Sequence, residues 1–252
     1  MANFVFVHGA FTGGWVWSRV RPWLTAAGHS VWTPTLTGSG ERSHLLSRSV
    51  SLRLHIEDIV QVLRYEDLRD VVLVGHSYGG MVITGVADRV PDRLARLVYL
   101  DAAYPADGQN AAGGFSDGTD DALEAMSSAG PDEANWLLPP LPLAAYGVTE
   151  PADVAWVGDR RVAHPLITLQ EPLSLQRPAG AGLPRVYVRH TRREGLVQLF
   201  GSDPLLPMFE RAIADGCAVL EVDAGHDAMI SAPQAVAEAL LTAVRAAPTG
   251  AA

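Results

Sequence analysis

A serine, a histidine and a carboxylate, far apart in this chain, could together open an ester if the fold brings them to one place. The serine is Ser77, in Gly75-His76-Ser77-Tyr78-Gly79. An aliphatic run, Val71-Val72-Leu73-Val74, precedes it, and an apolar period at Met81, Val82, Thr84, Val86 and Ala87 follows. That order reads as a buried strand, a tight turn and a helix. The glycines serve sterics: Gly75 and Gly79 leave room for crossing backbones while Ser77 sits on a strained turn with its Oγ projecting. A bare Gly-X-Ser-X-Gly is common by chance, and the strand and helix around it are what turn it into a nucleophile elbow.

A serine hydroxyl attacks poorly unless a base takes its proton. Of the eight histidines, His226 stands out in Val222-Asp223-Ala224-Gly225-His226-Asp227-Ala228-Met229, after the last strand-like run and just before the last helical one. The carboxyl ends of parallel strands share one sheet edge, so this position brings His226 to Ser77. His29, His44, His55, His164 and His190 read instead as capping or surface histidines, and His8 and His76 as packing ones. Acyl transfer also needs two donors aimed at the developing oxyanion. The amides of Ala10, in the glycine-rich loop after the first strand, and of Tyr78 are placed to supply them.

The elements that must carry these residues alternate along the chain. Strands are expected at Asn3 to His8, Ser30 to Leu36, the elbow run, Leu94 to Leu100, Pro184 to Val188 and Ala218 to Val222. Helices are expected at about Trp17 to Ala27 with a separate first turn at Pro22, Ser51 to Arg64 with Ser51 as N-cap, Met81 to Val90, Pro204 to Ala214, and Pro233 to Ala246. Such alternation predicts an α/β fold, a mostly parallel sheet of about six strands with helices on both faces. Residues 1–101 and 184–252 form its core. Residues 102–183 break the alternation with many prolines, helix-like pieces at Asp120 to Ser128 and Pro151 to Arg161, and no strong strand run. They are expected to be a cap inserted over the strand ends. The small-residue tail is expected to be disordered.

Composition narrows the classes. The formal charge of −9, with acids crowding Asp117, Asp120, Asp121, Glu124, Asp132 and Glu133, disfavours nucleic acid and anionic membranes as partners. No run approaches the roughly 18 apolar residues that a membrane span needs. The N-terminus lacks a basic n-region, so no signal peptide and a cytoplasmic location are expected. Cys217 is the lone cysteine, which excludes an intramolecular disulfide, and the absence of lysine removes any lysine-based mechanism. Nothing in the pattern opposes a homodimer.

With these positions placed, the chain resembles the α/β-hydrolase superfamily, and within it the methylesterase and hydroxynitrile lyase family with its bacterial esterase relatives. The resemblance rests on Val-His-Gly-Ala at the start with Gly14-Trp15 behind it, Ala27-Gly28-His29, Val-Gly-His-Ser-Tyr-Gly-Gly, and Gly-His-Asp-Ala-Met near the end. It implies an α/β-hydrolase fold with a cap, which matches only loosely. The lyase branch has a threonine where Gly9 stands and a lysine after the base, where this chain has Asp227. A lyase needs that cation to steady departing cyanide, so the resemblance points to the esterases.

These families usually take the triad acid from the loop after the fifth strand. Here that loop reads Arg189-His190-Thr191-Arg192-Arg193-Glu194-Gly195, with an arginine at the expected place. Glu194 could act from a shifted loop, Asp203 could reach back from farther along, or Asp101 could serve from the end of the strand after the elbow, as in superfamily members resembling haloalkane dehalogenases. Asp101 is favoured over Glu194; it would fix the tautomer of His226 and stabilise the imidazolium. Arg192 and Arg193 read as solvated surface. The pocket is expected to be apolar, with Phe11, Tyr78 and Met229 flanking the catalytic atoms and Trp136, Leu137, Leu138 and Leu141 as its roof, while Trp23 and Trp32 belong to the core. The expected activity is metal-free and cofactor-free hydrolysis of a small or medium apolar carboxylic ester through an acyl-enzyme. A biosynthetic thioesterase, lactonase or cyclase would use the same triad, and a small-molecule receptor is the reading from a different class.

Overall fold

The structure is a computed structural model that describes residues 1–111 and 136–245. In chain order, β1 (Asn3–Val7) leads through a 3-10 turn (Gly14–Arg19) to α1 (Arg21–Ala26) and β2 (Ser30–Trp32). Then come α2 (Leu52–Tyr65), β3 (Val71–His76), α3 (Gly79–Arg89) and β4 (Leu94–Leu100). The inserted region contributes a two-residue antiparallel ribbon of β5 (Leu137–Leu138) and β6 (His164–Pro165), with α4 (Pro151–Gly158) between them and α5 (Ile167–Gln170) after. The chain closes with β7 (Arg185–His190), α6 (Glu194–Phe200), α7 (Leu206–Ala214), β8 (Ala218–Val222), α8 (Ala228–Ser231) and α9 (Pro233–Arg245).

Six strands form one all-parallel sheet in the order β2-β1-β3-β4-β7-β8. Successive side chains of a strand face opposite ways, so a strand buried on both faces reads as an unbroken apolar run. Val5, Val7, Leu73, Tyr99 and Tyr187 pack with Ile56, Ile59 and Leu63 of α2 and Met81 to Val86 of α3. Phe4, Phe6, Val72, Val74, Val98 and Val188 pack on the other face with Trp17, Leu24 of α1, and Val236 and Leu240 of α9. Each fully buried side chain of this kind contributes about 1.5 to 3 kcal/mol. Ser51 caps α2 as expected, its Oγ accepting from the Leu54 amide at 3.2 Å.

Several expected boundaries move. β2 stops at Trp32 rather than Leu36, because Pro34 has no amide to give and the next backbone groups go elsewhere: the Leu36 amide donates to His8 Nε2 and the Thr35 carbonyl accepts from Arg42. α6 falls where a loop was expected. Its Gly195 reads as a breaker but serves close approach, since a Cβ there would lie 2.7 Å from the carbonyl oxygens of Ala144 and Ala145. The inserted region holds the β5–β6 ribbon, where no strand was expected. Trp23 is 46% exposed on α1, which turns only Leu24 fully inward; Trp17 is the tryptophan buried there, 4.7 Å from the Phe6 ring. Trp32 is half-buried on the outermost strand. The expected helix at Asp120 to Ser128 and the C-terminal tail lie outside the described residues.

Candidate active site

β3 ends at His76, and Ser77 takes φ +54 before Gly79 opens α3. A Cβ on Gly79 would fall 2.6 Å from the Val7 carbonyl oxygen, so glycine is what lets α3 start beside β1. The strained turn is pinned through the Ser77 carbonyl, which accepts from the amides of Gly80 at 3.0 Å and Ala103 at 2.9 Å. Two further non-glycine residues that follow the carboxyl ends of strands share the left-handed conformation, Phe11 in the loop after β1 at φ +66 and Asp101 directly after β4 at φ +44. Strain of about 1–3 kcal/mol at each such position persists only where the surroundings overdetermine it.

Asp101 leaves β4 one residue after Leu100, and Leu100 pairs with His76 across the sheet. Ser77 and Asp101 are therefore lateral neighbours on one edge. The buried Asp101 carboxylate receives His226 Nδ1–H on Oδ2 at 2.6 Å, Arg193 Nη1 on the same oxygen at 2.5 Å, and the His190 amide on Oδ1 at 3.3 Å. Burial works to raise its pKa, but the His226 hydrogen bond and the charges around it outweigh burial and hold the carboxyl well below the usual range.

The His226 loop is held through its own carbonyl, which accepts His76 Nε2–H and His190 Nδ1–H, both at 3.0 Å. Burial lowers the His190 pKa to about 4 and pushes His76 well below its ordinary value, so both rings are neutral donors near pH 7. His190 thus lies inside the site network, not on the surface. So do His55 and His164, also buried. Glu194 sits exposed in the first turn of α6, and Asp203 is engaged with Arg193 and Arg189. Arg192 is exposed as expected, whereas Arg193 is largely buried.

The β1 loop and the elbow face each other across the cleft. His8 fixes the loop: its Nδ1–H donates to the Gly9 carbonyl at 2.8 Å and its Nε2 accepts from the Leu36 amide at 3.0 Å. Burial lowers this imidazole to about 4, consistent with a neutral ring. Tyr78 is anchored through its hydroxyl to His55 Nδ1 at 2.9 Å, while His55 Nε2–H donates to the Thr37 carbonyl at 3.0 Å. Among the described residues, neither the Ala10 nor the Tyr78 amide donates to a protein acceptor, and the Tyr78 amide sits at the N-terminus of α3, where the helix dipole favours negative charge.

Ser77 and His226 line a mostly apolar cleft, together with Phe11, Leu138, Leu141 and Leu205 among others. Trp136, Leu137 and Met229 are not part of it. The β5–β6 pairing turns Leu138 inward and leaves Leu137 partly exposed, Trp136 stacks against Arg48, and Met229 is fully buried beneath, in the core between the sheet and α9. A smaller, more polar lobe also opens on Ser77 and is lined by Thr12, Tyr146, Arg161 and Asp227. Arg161 donates to the Leu141 carbonyl at 2.5 Å, with its guanidinium 5.3 Å from the ring centres of both Phe11 and Tyr146. Burial raises the Asp227 pKa. Sequence reasoning missed Tyr146 and Arg161, which lie between β5 and β6 without any spacing signal. His76, His226 and Asp227 bring ligand-type atoms within 4.8 Å of one another, but His76 Nε2 is already engaged with a carbonyl and His226 Nδ1 with Asp101. Among the described residues no helix is long and apolar enough to cross a membrane.

Comparison with known proteins bears on the family and the fold. Residues 4–239 match the model of the alpha/beta hydrolase family. The carbendazim hydrolyzing esterase of Nocardioides sp. (strain SG-4G) is 39% identical over 249 residues, covering 95% of this chain and 98% of that protein. Salicylic acid-binding protein 2 of Nicotiana tabacum is 29% identical over 270 residues, covering 95% of each. Among solved structures, an extracellular alpha/beta-hydrolase from a Paenibacillus species superposes with a TM-score of 0.80 at 24% identity, over 96% of this chain and 99% of that one. An Arabidopsis methylesterase superposes with a TM-score of 0.70 at 24% identity, over 97% and 99%. On its strand order, its elbow and these matches, the chain belongs to the alpha/beta hydrolase family.

Proposed function

We propose that the protein is a serine hydrolase of small or medium apolar carboxylic esters, with Ser77 as nucleophile, His226 as base and Asp101 as acid. One observation carries this reading: the buried 2.6 Å bond between Asp101 and His226 Nδ1, in a cleft that both His226 and the strained Ser77 line. Engaging Nδ1 leaves Nε2, on the far side of the ring, for the Ser77 hydroxyl. Nε2 takes that proton as Oγ bonds to the acyl carbon, and the oxyanion rests on the Ala10 and Tyr78 amides. The imidazolium then protonates the departing alkoxy oxygen, leaving an acyl-Ser77 ester. Water, deprotonated by His226, attacks the same carbon, and Ser77 regains its proton as the carboxylic acid departs. Asp101 stays ionised throughout and stabilises the imidazolium.

The apolar cleft suits the larger half of such an ester, and residues 102–183 act as the cap over it. The names of the relatives support the assignment: the 39%-identical protein is a hydrolyzing esterase. The reading is tested with a serine-directed phosphonate and a nitrophenyl ester. The expected result is a covalent mass increase on Ser77 and turnover that Ser77→Ala abolishes. An unlabelled wild-type protein, or a Ser77→Ala variant with undiminished turnover, would overturn it.

A further inference from the structure

We propose that Arg193, gripped by Asp203, is a positioning residue for this reaction: it orients the Asp101 carboxylate towards His226 and places a partly neutralised cation beside that imidazole. The inference rests on the reading of Ser77, His226 and Asp101 as the reacting triad. Arg193 Nη1 and His226 Nδ1 donate to one and the same oxygen, Asp101 Oδ2, at 2.5 and 2.6 Å. The other edge of the guanidinium meets both oxygens of Asp203, Nε to Oδ2 at 3.0 Å and Nη2 to Oδ1 at 2.6 Å. A bidentate pair of this kind fixes the plane of the guanidinium as well as its place. The three side chains are close to fully buried, at 1% exposure for Asp101, 9% for Asp203 and 11% for Arg193.

The loop after β7 is where the sequence resemblance looks for the acid. Here that loop supplies a cation, which points back at an acid taken from β4. Asp101 is thereby held on both oxygens, Oδ1 by the His190 amide and Oδ2 by two donors, and has no freedom to rotate away from the base. Electrostatically the three charges oppose one another in turn. Asp101 favours a proton on His226, Arg193 disfavours it, and Asp203 offsets Arg193. The other groups facing this set are His76 from β3, Tyr187, His190 and Arg189 from β7, Tyr146, whose ring lies 5.4 Å from that of His226, and Asp227 beside the base; burial keeps both tyrosines protonated. His76 and His190 are kept neutral by burial, and Arg189 is itself paired with Asp203 at 3.2 Å.

The test is the pH dependence of kcat/KM on a nitrophenyl ester for the full chain and for Arg193→Gln and Asp203→Asn. A general base acts only when unprotonated, so the acid limb of the profile reads the charge placed beside it. Arg193→Gln removes a cation that shares an oxygen with the imidazole and so lies within about 5 Å of it; the acid limb should move up by about one pH unit. Asp203→Asn leaves that cation less neutralised, and the limb should move down by a few tenths of a unit. A purely structural role would lower the stability of both variants and leave both limbs in place. Unmoved limbs, or limbs displaced in the same direction, overturn the proposal. Should Arg193→Gln not fold, the isosteric Asp203→Asn decides alone, a downward shift in support and none against. Phosphonate labelling separates the two layers: an unlabelled wild type sinks the triad, whereas labelled variants with unmoved limbs sink only the role of Arg193.

Discussion

Acid should unfold this protein from its histidines before its carboxylates matter. His8 and His190 are fully buried and their pKa values are lowered to about 4, against the ordinary 6.5. Between those values the unfolded chain binds more protons than the folded one, so stability falls as pH drops from about 6.5 and levels off near 4. At pH 5 each of the two contributes a loss of about 2 kcal/mol relative to pH 7, hence about 4 kcal/mol together. Buried His55, His76 and His164 push the same way, while Asp227, whose pKa burial raises, partly offsets them. For a domain stabilised by about 5–15 kcal/mol the sum is severe. Urea midpoints at pH 7 and pH 5 measure it for the wild type and for His190→Asn. Asparagine can keep the donor to the His226 carbonyl, and the lost His190 Nε2 has no hydrogen-bond partner among the described residues. The variant should therefore lose about 2 kcal/mol less than the wild type over this interval. A wild type that is equally stable at both pH values, or a variant that loses as much as the wild type, refutes the reasoning.

Other consequences can be measured directly. Asp101→Asn should cost about 10⁴ in kcat, since the imidazole loses its tautomer and its counter-charge, while Glu194→Gln on the exposed turn of α6 should leave kcat near the wild-type value. Equal, mild losses in steady-state assays would dismiss both as the acid. Gly9→Thr should lower kcat by about tenfold or more, because a Cβ there would lie 2.9 Å from Ser77 Cβ and 3.1 Å from His76 Nδ1, displacing Ser77. Arg161→Met should lower stability by about 1–2 kcal/mol in urea titrations, through loss of the Leu141 hydrogen bond and of two aromatic contacts.

Much of the core was legible in the sequence because its central strands are buried on both faces. β4 keeps the bounds expected of it, and so does β8, an edge strand that leaves Val219 and Glu221 exposed. Ser77 and His226 were readable because glycine-bounded turns at strand ends leave a local signature. What stayed hidden depends on contacts between distant segments. His55, His164 and His190 look polar in one dimension, yet each becomes buried as a neutral ring. Arg193 looks solvated until two carboxylates close on it from β4 and from Asp203. Between β4 and β7, register decides: the two-residue ribbon points Leu138 at the cleft and Leu137 away from it, a choice that alternation over so short a run does not reveal.

The pairing of His76 with Leu100 also bears on how this scaffold can change. Ser77 and Asp101 leave adjacent strands one residue beyond that pair, so their separation is inherited from the spacing of a hydrogen-bonded ladder rather than from any loop. Insertions and deletions between β5 and β6 act on the walls of the cleft without stretching that distance. A library diversified across residues 136–175 would explore new substrates from a starting point at which Ser77 and Asp101 remain in register.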